Sequence, residues 1–378
     1  MNRISSIQFA ISGSWDWDHT STDKGLFLYE HHSDSGELTL LDHILSGAKI
    51  GCTPVQGKND LFYVVEERGT LDGRKAGGGG YIHVIRLNRE RKKLEIVQRA
   101  RSLAVNPSYC AVDPKNRYLA VVHHTSSRNT ATKLYRDTDG TIVSRTEHDD
   151  AAAVLFTLNE DGTIGEAADF DVYPDEGNKV SLLHSVHFIP GTEYLVSADK
   201  GLDAVHIWKN SDGKLERTDS VKTAEGSDPR YIAFHPSLPV FYVNNEQKPV
   251  LYTFAFHDGK AELIHEETVM NKECRMKAMA SDLLISKDGK HLYNALRICD
   301  MIAVYDIDQE GIPHFAGNIS SQGSHNRGMA LSPDGRFLYL CNMESDCIAV
   351  FAADETSGSL SEAFTISQSR ASNMLFVR

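Results

Sequence analysis

Arginine and glutamate residues border several short apolar segments of the sequence. Arg230 precedes "YIAF", Glu246 follows "FYVNN", and Arg297 follows "HLYNAL". Arginine can bind a carboxylate or a phosphate through two parallel hydrogen bonds, and glutamate or histidine can accept a proton from water. If the fold brings these side chains together, they predict a site that binds a small anion and moves a proton beside it.

The apolar segments are part of a repeat. Six turns of the type (D/E/S)-G-x-L or a close variant, such as "SDGKLERT" at 211–218, recur along the chain, and "RERKKLEI" at 89–96 is a seventh copy without the glycine. The apolar residues of the seven turns are Leu38, Leu94, Ile164, Leu215, Ala261, Ile312 and Leu360. They lie 56, 70, 51, 46, 51 and 48 residues apart. The segments before them alternate between apolar and polar residues, as half-buried strands do.

A second kind of turn, such as "PDGR" at 333–336, precedes six of these units. Each repeat therefore contains about four antiparallel strands in roughly 50 residues, which is typical of a β-propeller blade. We predict an all-β fold, a seven-bladed β-propeller that forms one domain over residues 1–378. The two longest gaps are explained by loop insertions at about 68–81 and 125–151.

The two ends of the chain are predicted to complete one blade. The segment 25–31 resembles the third strand of a blade, and the C-terminal "NMLFVR" resembles a first strand. A blade closed by N- and C-terminal strands removes the open sheet edges that an unclosed ring would expose.

This topology brings the charged residues to one place. In a propeller blade, the first strand begins and the second strand ends at the same face, beside the central channel. The predicted second strands end in the pairs Glu66-Glu67, His123-His124, Asp199-Lys200, Asn245-Glu246, Leu296-Arg297 and Asn342-Met343. The predicted first strands begin at Thr53, Ser108, His184, Arg230, Asp282 and Arg327. We expect these residues to surround one funnel, although the same charges are also compatible with structural ion pairs between blades.

Composition argues against several kinds of partner. A net charge of −13 argues against binding to nucleic acid or to an anionic membrane, and the sequence lacks both a run of about 18 apolar residues and the apolar region of a signal peptide. Six scattered cysteines without a CxxC motif are typical of a reduced, cytoplasmic protein. The sequence leaves a monomer and a homodimer open.

Histidine pairs invite a metal site, but their spacing disfavours one. His31-His32 and His123-His124 are adjacent residues on predicted strands, so their side chains point to opposite faces. The same parity separates His184 from His187 on a regular strand. We therefore expect neither a metal nor another cofactor.

Four segments together resemble the lactonase family of seven-bladed propellers, which holds propeller-type 6-phosphogluconolactonases and carboxy-muconate lactonizing enzymes. They are "HSVHFIP", "DPRYIAFHP" with "YVNNE", "ASDLLISKDGKHLY" and "NRGMALSPDGRFLYLCN", and the resemblance extends over essentially the whole chain. It implies that the catalytic residues are His184, Arg230, Glu246 and Arg297. The neighbouring funnel residues are then candidates for substrate binding: Arg327, Lys200, Asp199, Asn245, Asp282, Glu67 and His124.

The resemblance implies hydrolysis of a small anionic sugar lactone, most directly of 6-phosphogluconolactone to 6-phosphogluconate. Arg230 and Arg297 would hold the anion or polarise the lactone carbonyl, and either His184 or Glu246 would activate water. Carboxy-muconate lactonization with the same groups, and a propeller that only binds a protein partner, are the alternatives.

The family motifs are altered at four places, which changes the predicted pocket wall. Tyr231 replaces the histidine of "PRH" and Leu296 replaces the asparagine of "SNR". The segments "VEE" at 65–67 and "VHH" at 122–124 also depart from the family pattern.

Overall fold

A computed structural model describes residues 7–17, 23–125, 130–173, 179–270 and 278–378. The first strands are β1 (Gln8–Ser14), β2 (Leu26–His31), β3 (Leu38–Ile44), β4 (Val55–Gln56), β5 (Leu61–Glu66), β6 (Tyr81–Asn88), β7 (Lys93–Arg101), β8 (Pro107–Val112), β9 (Tyr118–His123) and β10 (Thr130–Arg136). They are followed by β11 (Ile142–His148), β12 (Ala151–Leu158), β13 (Ile164–Tyr173), β14 (Leu183–Phe188), β15 (Tyr194–Asp199), β16 (Ala204–Ser211), β17 (Lys214–Lys222), β18 (Pro229–Phe234), β19 (Val240–Asn245) and β20 (Val250–His257). The last are β21 (Lys260–Thr268), β22 (Ala280–Ile285), β23 (His291–Leu296), β24 (Met301–Ile307), β25 (Pro313–Ser320), β26 (Asn326–Leu331), β27 (Phe337–Asn342), β28 (Cys347–Ala353), β29 (Leu360–Ser367) and β30 (Ala371–Phe376).

Within these ranges, twenty-eight strands form seven antiparallel sheets of four strands each. Blade 1 combines β30, β1, β2 and β3, and blade 3 combines β8, β9, β12 and β13. The other blades are β4–β7 (blade 2), β14–β17 (blade 4), β18–β21 (blade 5), β22–β25 (blade 6) and β26–β29 (blade 7). The first strands of six pairs of neighbouring blades contact one another. The all-β, seven-bladed prediction is confirmed.

Blade 1 joins both ends of the chain, as predicted, but in a different proportion. The segment predicted at 25–31 is indeed the third strand, β2, and it is preceded by a second strand, β1, that the sequence analysis missed. β1 is buried at six of its seven positions and so shows no alternation of apolar and polar residues. The chain therefore contributes three N-terminal strands and one C-terminal strand to this blade.

The insertion at 125–151 is not simply a loop. Its described part forms an antiparallel hairpin, β10–β11, paired from Thr130↔His148 to Arg136↔Ile142. The shorter insertion at 68–81 contains an isolated bridge between Thr70 and Gly78.

The recurring glycine turn has a second role besides forming a hairpin. In four blades, a tyrosine on the second strand donates its hydroxyl to the carbonyl of this glycine in the next blade, at 2.6–3.0 Å. The pairs are Tyr63 with Gly162, Tyr242 with Gly311, Tyr293 with Gly358, and Tyr339 with Gly36. These glycines have φ between 66° and 86°, a conformation that other residues rarely adopt. The repeat thus fixes these four blades to their neighbours through buried hydrogen bonds.

The described residues contain no helix, and hence none long and apolar enough to cross a membrane.

Replacing Asn373 by alanine should destabilise the ring closure. The side chain is buried, accepts the backbone N–H of Gly13 at 3.0 Å, and donates to the carbonyl of Ile50 in blade 2 at 2.8 Å. Loss of these bonds leaves buried backbone groups without this partner and should lower the free energy of unfolding by about 2–3 kcal/mol. Urea denaturation measures the change, and Lys260→Ala, at an exposed hairpin residue, is the control. An unchanged midpoint for Asn373→Ala would show that the closure does not depend on this side chain.

Candidate active site

A backbone hydrogen bond at the same place in every blade positions the funnel residues. The residue that follows the second strand donates its N–H at 2.8–3.2 Å to the carbonyl of the residue before the first strand, or, in blade 2, of a residue six positions before it. We call the donors the exit residues: Trp15, Glu67, His124, Lys200, Glu246, Arg297 and Met343. We call the acceptors the rim residues: Arg370, Lys49, Asn106, Leu182, Asp228, Met279 and His325. This bond brings the end of one strand and the start of the other together at one face, as predicted.

A third set of equivalent positions lies two residues beyond the rim. These inner residues are Ser372, Gly51, Ser108, His184, Arg230, Ser281 and Arg327. Six exit residues and four inner residues line a cavity of ≈ 1210 Å³. The serines and the glycine of the inner set are small, so the large inner side chains are His184, Arg230 and Arg327.

All four residues predicted to be catalytic line this cavity, namely His184, Arg230, Glu246 and Arg297. Four of the predicted substrate-binding residues join them: Arg327, Lys200, Glu67 and His124.

Three other predicted residues do not line this cavity. Asp199 is fully buried and accepts the N–H of Leu182 at 2.8 Å. The side chain of Asn245 donates to the carbonyl of Val250, and Asp282 accepts the N–H of Met329 at 2.6 Å. All three are buried groups that hold backbone segments in place.

The misplacement has one cause, which is side-chain parity. Asp199 and Asn245 are the last residues of their strands, one position before the exit residue, so they point to the other side. Asp282 lies one position after the inner residue Ser281, and Thr53 lies beyond Gly51, the inner residue of blade 2. A shift of one residue on a strand reverses the face.

Glu246 is the centre of the ionic network in the cavity. Its Oε2 atom lies 2.7 Å from Lys200 Nζ, 3.1 Å from Arg230 Nε and 3.0 Å from Arg297 Nη2. Burial raises the pKa of Glu246, but the charges of Lys200, Arg297 and Arg230 outweigh it and hold the pKa well below its usual value. Glu246 therefore remains ionised and fixes three cations around one oxygen.

The arginines of the cavity are buried, and two of them lie against aromatic rings. Burial lowers the pKa of Arg297 to about 10, so the guanidinium stays protonated at neutral pH. Arg327 stacks its guanidinium on the ring of Trp15 at 4.0 Å, and Arg230 lies 4.7 Å from the ring of Tyr231. Tyr231, a departure from the family pattern, therefore supports an arginine of the cavity.

Two histidines meet edge to face in the wall between blades 3 and 4. The rings of His124 and His184 are 5.9 Å apart at an interplanar angle of 90°. Burial and, next, the charge of Arg230 lower the pKa of His184 well below its usual value, and burial lowers the pKa of His124 to about 4. Both imidazoles are consequently neutral at pH 7.

Glu67 lies in a second, separate polar group of the cavity. Its Oε2 accepts the indole N–H of Trp15 at 2.8 Å. A side chain at position 51 would collide with its carboxylate, so Gly51 makes room for it. Burial raises the pKa of Glu67, although the charge of Arg327 opposes the change.

One contact and one residue of the cavity wall were not expected from the sequence. Trp15 lies in the wall, and its hydrogen bond to Glu67 is the unexpected contact. Asp228 is a rim residue in "DPRY" and lines the cavity, as Arg230 does. Its place directly before a first strand is the signal that could have identified it.

Among the residues that the structure describes, no three histidine, cysteine, aspartate or glutamate side chains are arranged to hold a metal ion.

The sequence model of the family described as lactonase, 7-bladed beta-propeller, matches residues 18–376. The chain belongs to this lactonase family. It is 25% identical over 359 residues to a protein named 6-phosphogluconolactonase from Formosa agariphila, a match that covers 90% of this chain and 92% of the relative. A protein of the same name from Bacillus subtilis is 26% identical over 309 residues, covering 80% of this chain and 79% of the relative.

A solved structure shares the architecture of this lactonase-family chain. The periplasmic gluconolactonase PpgL of Pseudomonas aeruginosa superposes with a TM-score of 0.82 over 99% of both chains. At 21% identity, this likeness concerns the fold.

Replacing Glu246 by glutamine should destabilise the protein and make its melting temperature depend on added phosphate. The variant leaves three cations close together without their counter-charge, which should cost about 3 kcal/mol of unfolding free energy. Inorganic phosphate should restore more of the melting temperature in Glu246→Gln than in the wild type. Thermal denaturation with and without phosphate measures both effects.

The control is Glu216→Gln, at an exposed position of β17.

The stability that Glu246 contributes depends on pH. Because the folded-state pKa of Glu246 is depressed, its contribution is complete above the usual carboxyl range and is lost as the pH falls through the lowered value. If Glu246→Gln melted like the wild type at neutral pH, the ionic network would not contribute to stability.

Proposed function

We propose that this protein hydrolyses the lactone of a phosphorylated sugar acid, converting 6-phosphogluconolactone to 6-phosphogluconate. The observation that carries the proposal is the charge at the exit and inner positions of the cavity. Four cations, Lys200, Arg230, Arg297 and Arg327, face two carboxylates there, Glu67 and Glu246. Membership of the lactonase family and the names of the two relatives support the same reaction.

The charge balance favours a phosphorylated substrate. The exit and inner positions carry an excess of two positive charges in a chain whose net charge is −13. A phosphate monoester brings about −1.5 to −2 charges at neutral pH. Binding would therefore balance the charge at these positions, whereas a neutral sugar lactone would leave their excess uncompensated. The cavity wall as a whole, which also contains Asp228 and Asp203, carries seven cations and six carboxylates.

The arginines account for stabilisation of the transition state. When water attacks the lactone carbonyl, its oxygen becomes negatively charged, and guanidinium donors fixed in advance stabilise that charge. Glu246 contacts both Arg230 and Arg297 and so holds them in place before the substrate binds. In this role Glu246 is a positioning residue, and the arginines act on the reacting atoms.

His184 supplies a neutral group beside these cations. Its imidazole does not add a further charge to the cavity, and it can donate or accept one hydrogen bond with the substrate. We assign it to orientation of the lactone next to Arg230, whose charge helps to keep the imidazole neutral.

We place the reaction in the cytoplasm. The five cysteines in the described residues, Cys52, Cys110, Cys299, Cys341 and Cys347, are free thiols. Free buried thiols are usual in reducing compartments.

The test measures hydrolysis of freshly prepared 6-phosphogluconolactone by proton release, with the spontaneous rate subtracted. The wild type should exceed the background, and Arg230→Ala should lower kcat/KM by about 100- to 1000-fold, because a fixed oxyanion donor is lost. Arg297→Lys keeps the charge but not the planar fork, so it should lose less.

Arg145→Ala, on the exposed hairpin β10–β11, serves as the matched control and should retain the wild-type rate. Glucono-1,5-lactone, which lacks the phosphate, should be hydrolysed with a much higher KM. A wild-type rate equal to the background would disprove the proposed function, and equal KM values for the two lactones would disprove the role of the phosphate.

A further inference from the structure

We propose that Asp228 is the general base that activates water in this cavity. The inference rests on the proposed lactone hydrolysis and adds the residue that takes the proton. It differs from the expectation drawn from the sequence, in which His184 or Glu246 has that role.

The ion pairs of Glu246 argue against it as the base. Its Oε2 is shared by three cations at 2.7–3.1 Å, and the same ion pairs hold its pKa well below the usual carboxyl value. A base with such a low pKa has little tendency to accept a proton near neutral pH. Protonation would also release the arginines from their positions.

His184 is disfavoured for a related reason. Protonation would place another positive charge beside Arg230 and Lys200, and burial together with these charges lowers the pKa of the imidazole well below its usual value. Water activation by His184 would create this unfavourable cation in the transition state.

The raised pKa of Glu67 suits a base better than the lowered pKa of Glu246, but the carboxylate of Glu67 is held in place by its contacts. Its Oε2 accepts the Trp15 indole N–H, and its carboxylate fits closely against Gly51. The charge of Arg327 also favours the ionised form of Glu67. These contacts indicate a structural acceptor that orients Trp15 under the guanidinium of Arg327.

Asp228 has a fixed backbone and a carboxylate that no described residue engages. Its N–H donates to Asp203 Oδ1 at 3.1 Å, and its carbonyl accepts the N–H of Glu246 at 2.8 Å. By contrast, no hydrogen bond or ion pair of the Asp228 carboxylate occurs among the described residues. The side chain lines the cavity and is half-buried. It is therefore held at the cavity while its oxygens remain available to water.

The left-handed backbone of Asp228 belongs to the blade architecture. Its φ is 54°, and the rim residues Asn106, Met279, His325 and Arg370 have φ between 47° and 56°. The conformation is a shared feature of the rim and gives no separate support for catalysis. It does determine suitable substitutions, because asparagine and glycine adopt positive φ with least strain.

The charges around Asp228 suit proton transfer near neutral pH. Burial raises the pKa of its carboxyl to about 6; Lys200 opposes this, Glu246 and Asp203 add to it, and Lys179 opposes it. An ordinary aspartate would be a weaker base, and a base is most effective when its pKa is close to the working pH.

In the proposed reaction, one proton of water passes through Asp228 to the leaving ring oxygen and the other passes to solvent. A water oxygen bonds to the lactone carbonyl carbon while Asp228 takes one of its protons, and the carbonyl becomes an oxyanion held by the arginines. The bond between that carbon and the ring oxygen then breaks, and the protonated Asp228 returns its proton to the leaving ring oxygen. The product carboxylic acid loses the second water proton to solvent, which is the proton that the assay detects.

The test compares Asp228→Asn with the wild type across pH 4.5–7.5, a range we choose to bracket the carboxyl titration at about 6. Because the base must be ionised, wild-type kcat/KM should fall as the pH decreases through about 6. Asp228→Asn should lower kcat by about 100-fold or more while KM changes little, and its remaining rate should lose this acidic decline. Asp228→Gly should recover activity with added formate, which supplies a carboxylate that a structural defect could not use.

The matched control is Asp258→Asn, an exposed aspartate with φ of 48° in the turn between β20 and β21. It should keep the wild-type rate and pH profile. Binding of 6-phosphogluconate to Asp228→Asn, followed by calorimetry, should remain intact and show that the variant is folded.

The hydrolysis rates of the wild type and of Asp228→Asn distinguish the role of Asp228 from the proposed lactone hydrolysis. A wild type without activity on either lactone overturns both. An active wild type with an equally active Asp228→Asn overturns only the role of Asp228. Loss of the acidic decline in Glu67→Gln instead of Asp228→Asn would assign the proton transfer to Glu67.

Discussion

The cavity depends on one backbone hydrogen bond that is repeated in every blade. It joins the exit residue after the second strand to the rim residue that precedes the first strand, at 2.8–3.2 Å, and it uses no side-chain atom. Because the main chain alone sets this geometry, the side chains at the exit positions vary from tryptophan to glutamate, lysine and methionine without altering the ring. The scaffold and the chemistry are thus specified by different atoms of the same residues.

Charge clustering is the cost of this arrangement, and Glu246 is what offsets it. Lys200, Arg230 and Arg297 come from three neighbouring blades and would repel one another strongly in a buried site. Their shared carboxylate makes the cluster tolerable without neutralising it. In the proposed function, the remaining positive charge of the cluster receives the anionic substrate, and the Glu246 ion pairs hold the cluster together before it binds.

The sequence was sufficient to predict the ring, its closure by both termini and the face where the charges gather, because these follow from repeat length and strand order. The sequence was not sufficient to predict which side chain of two adjacent residues points into the cavity. Asp282 was expected in the cavity, but its neighbour Ser281 occupies the inner position. Asp199 and Asn245 were expected there as well, but only the residues that follow them, Lys200 and Glu246, line the cavity. The cause is that alignment of the repeats does not show which face of a strand a residue occupies. Asp228 was missed because its environment comes from Lys200, Glu246 and Asp203, which are distant along the chain or belong to other strands.

The shared blade has a consequence for how the chain can be connected. Val377 donates its backbone N–H to the carbonyl of Phe9 at 2.8 Å, so the end of β30 lies beside the start of β1, at the face opposite the funnel. A short peptide could link these neighbours, and the tip of the exposed β10–β11 hairpin could become the new pair of ends. Such a circular permutant would keep every blade next to the same neighbours. The position at which the polypeptide begins can therefore be changed without changing which blades are neighbours.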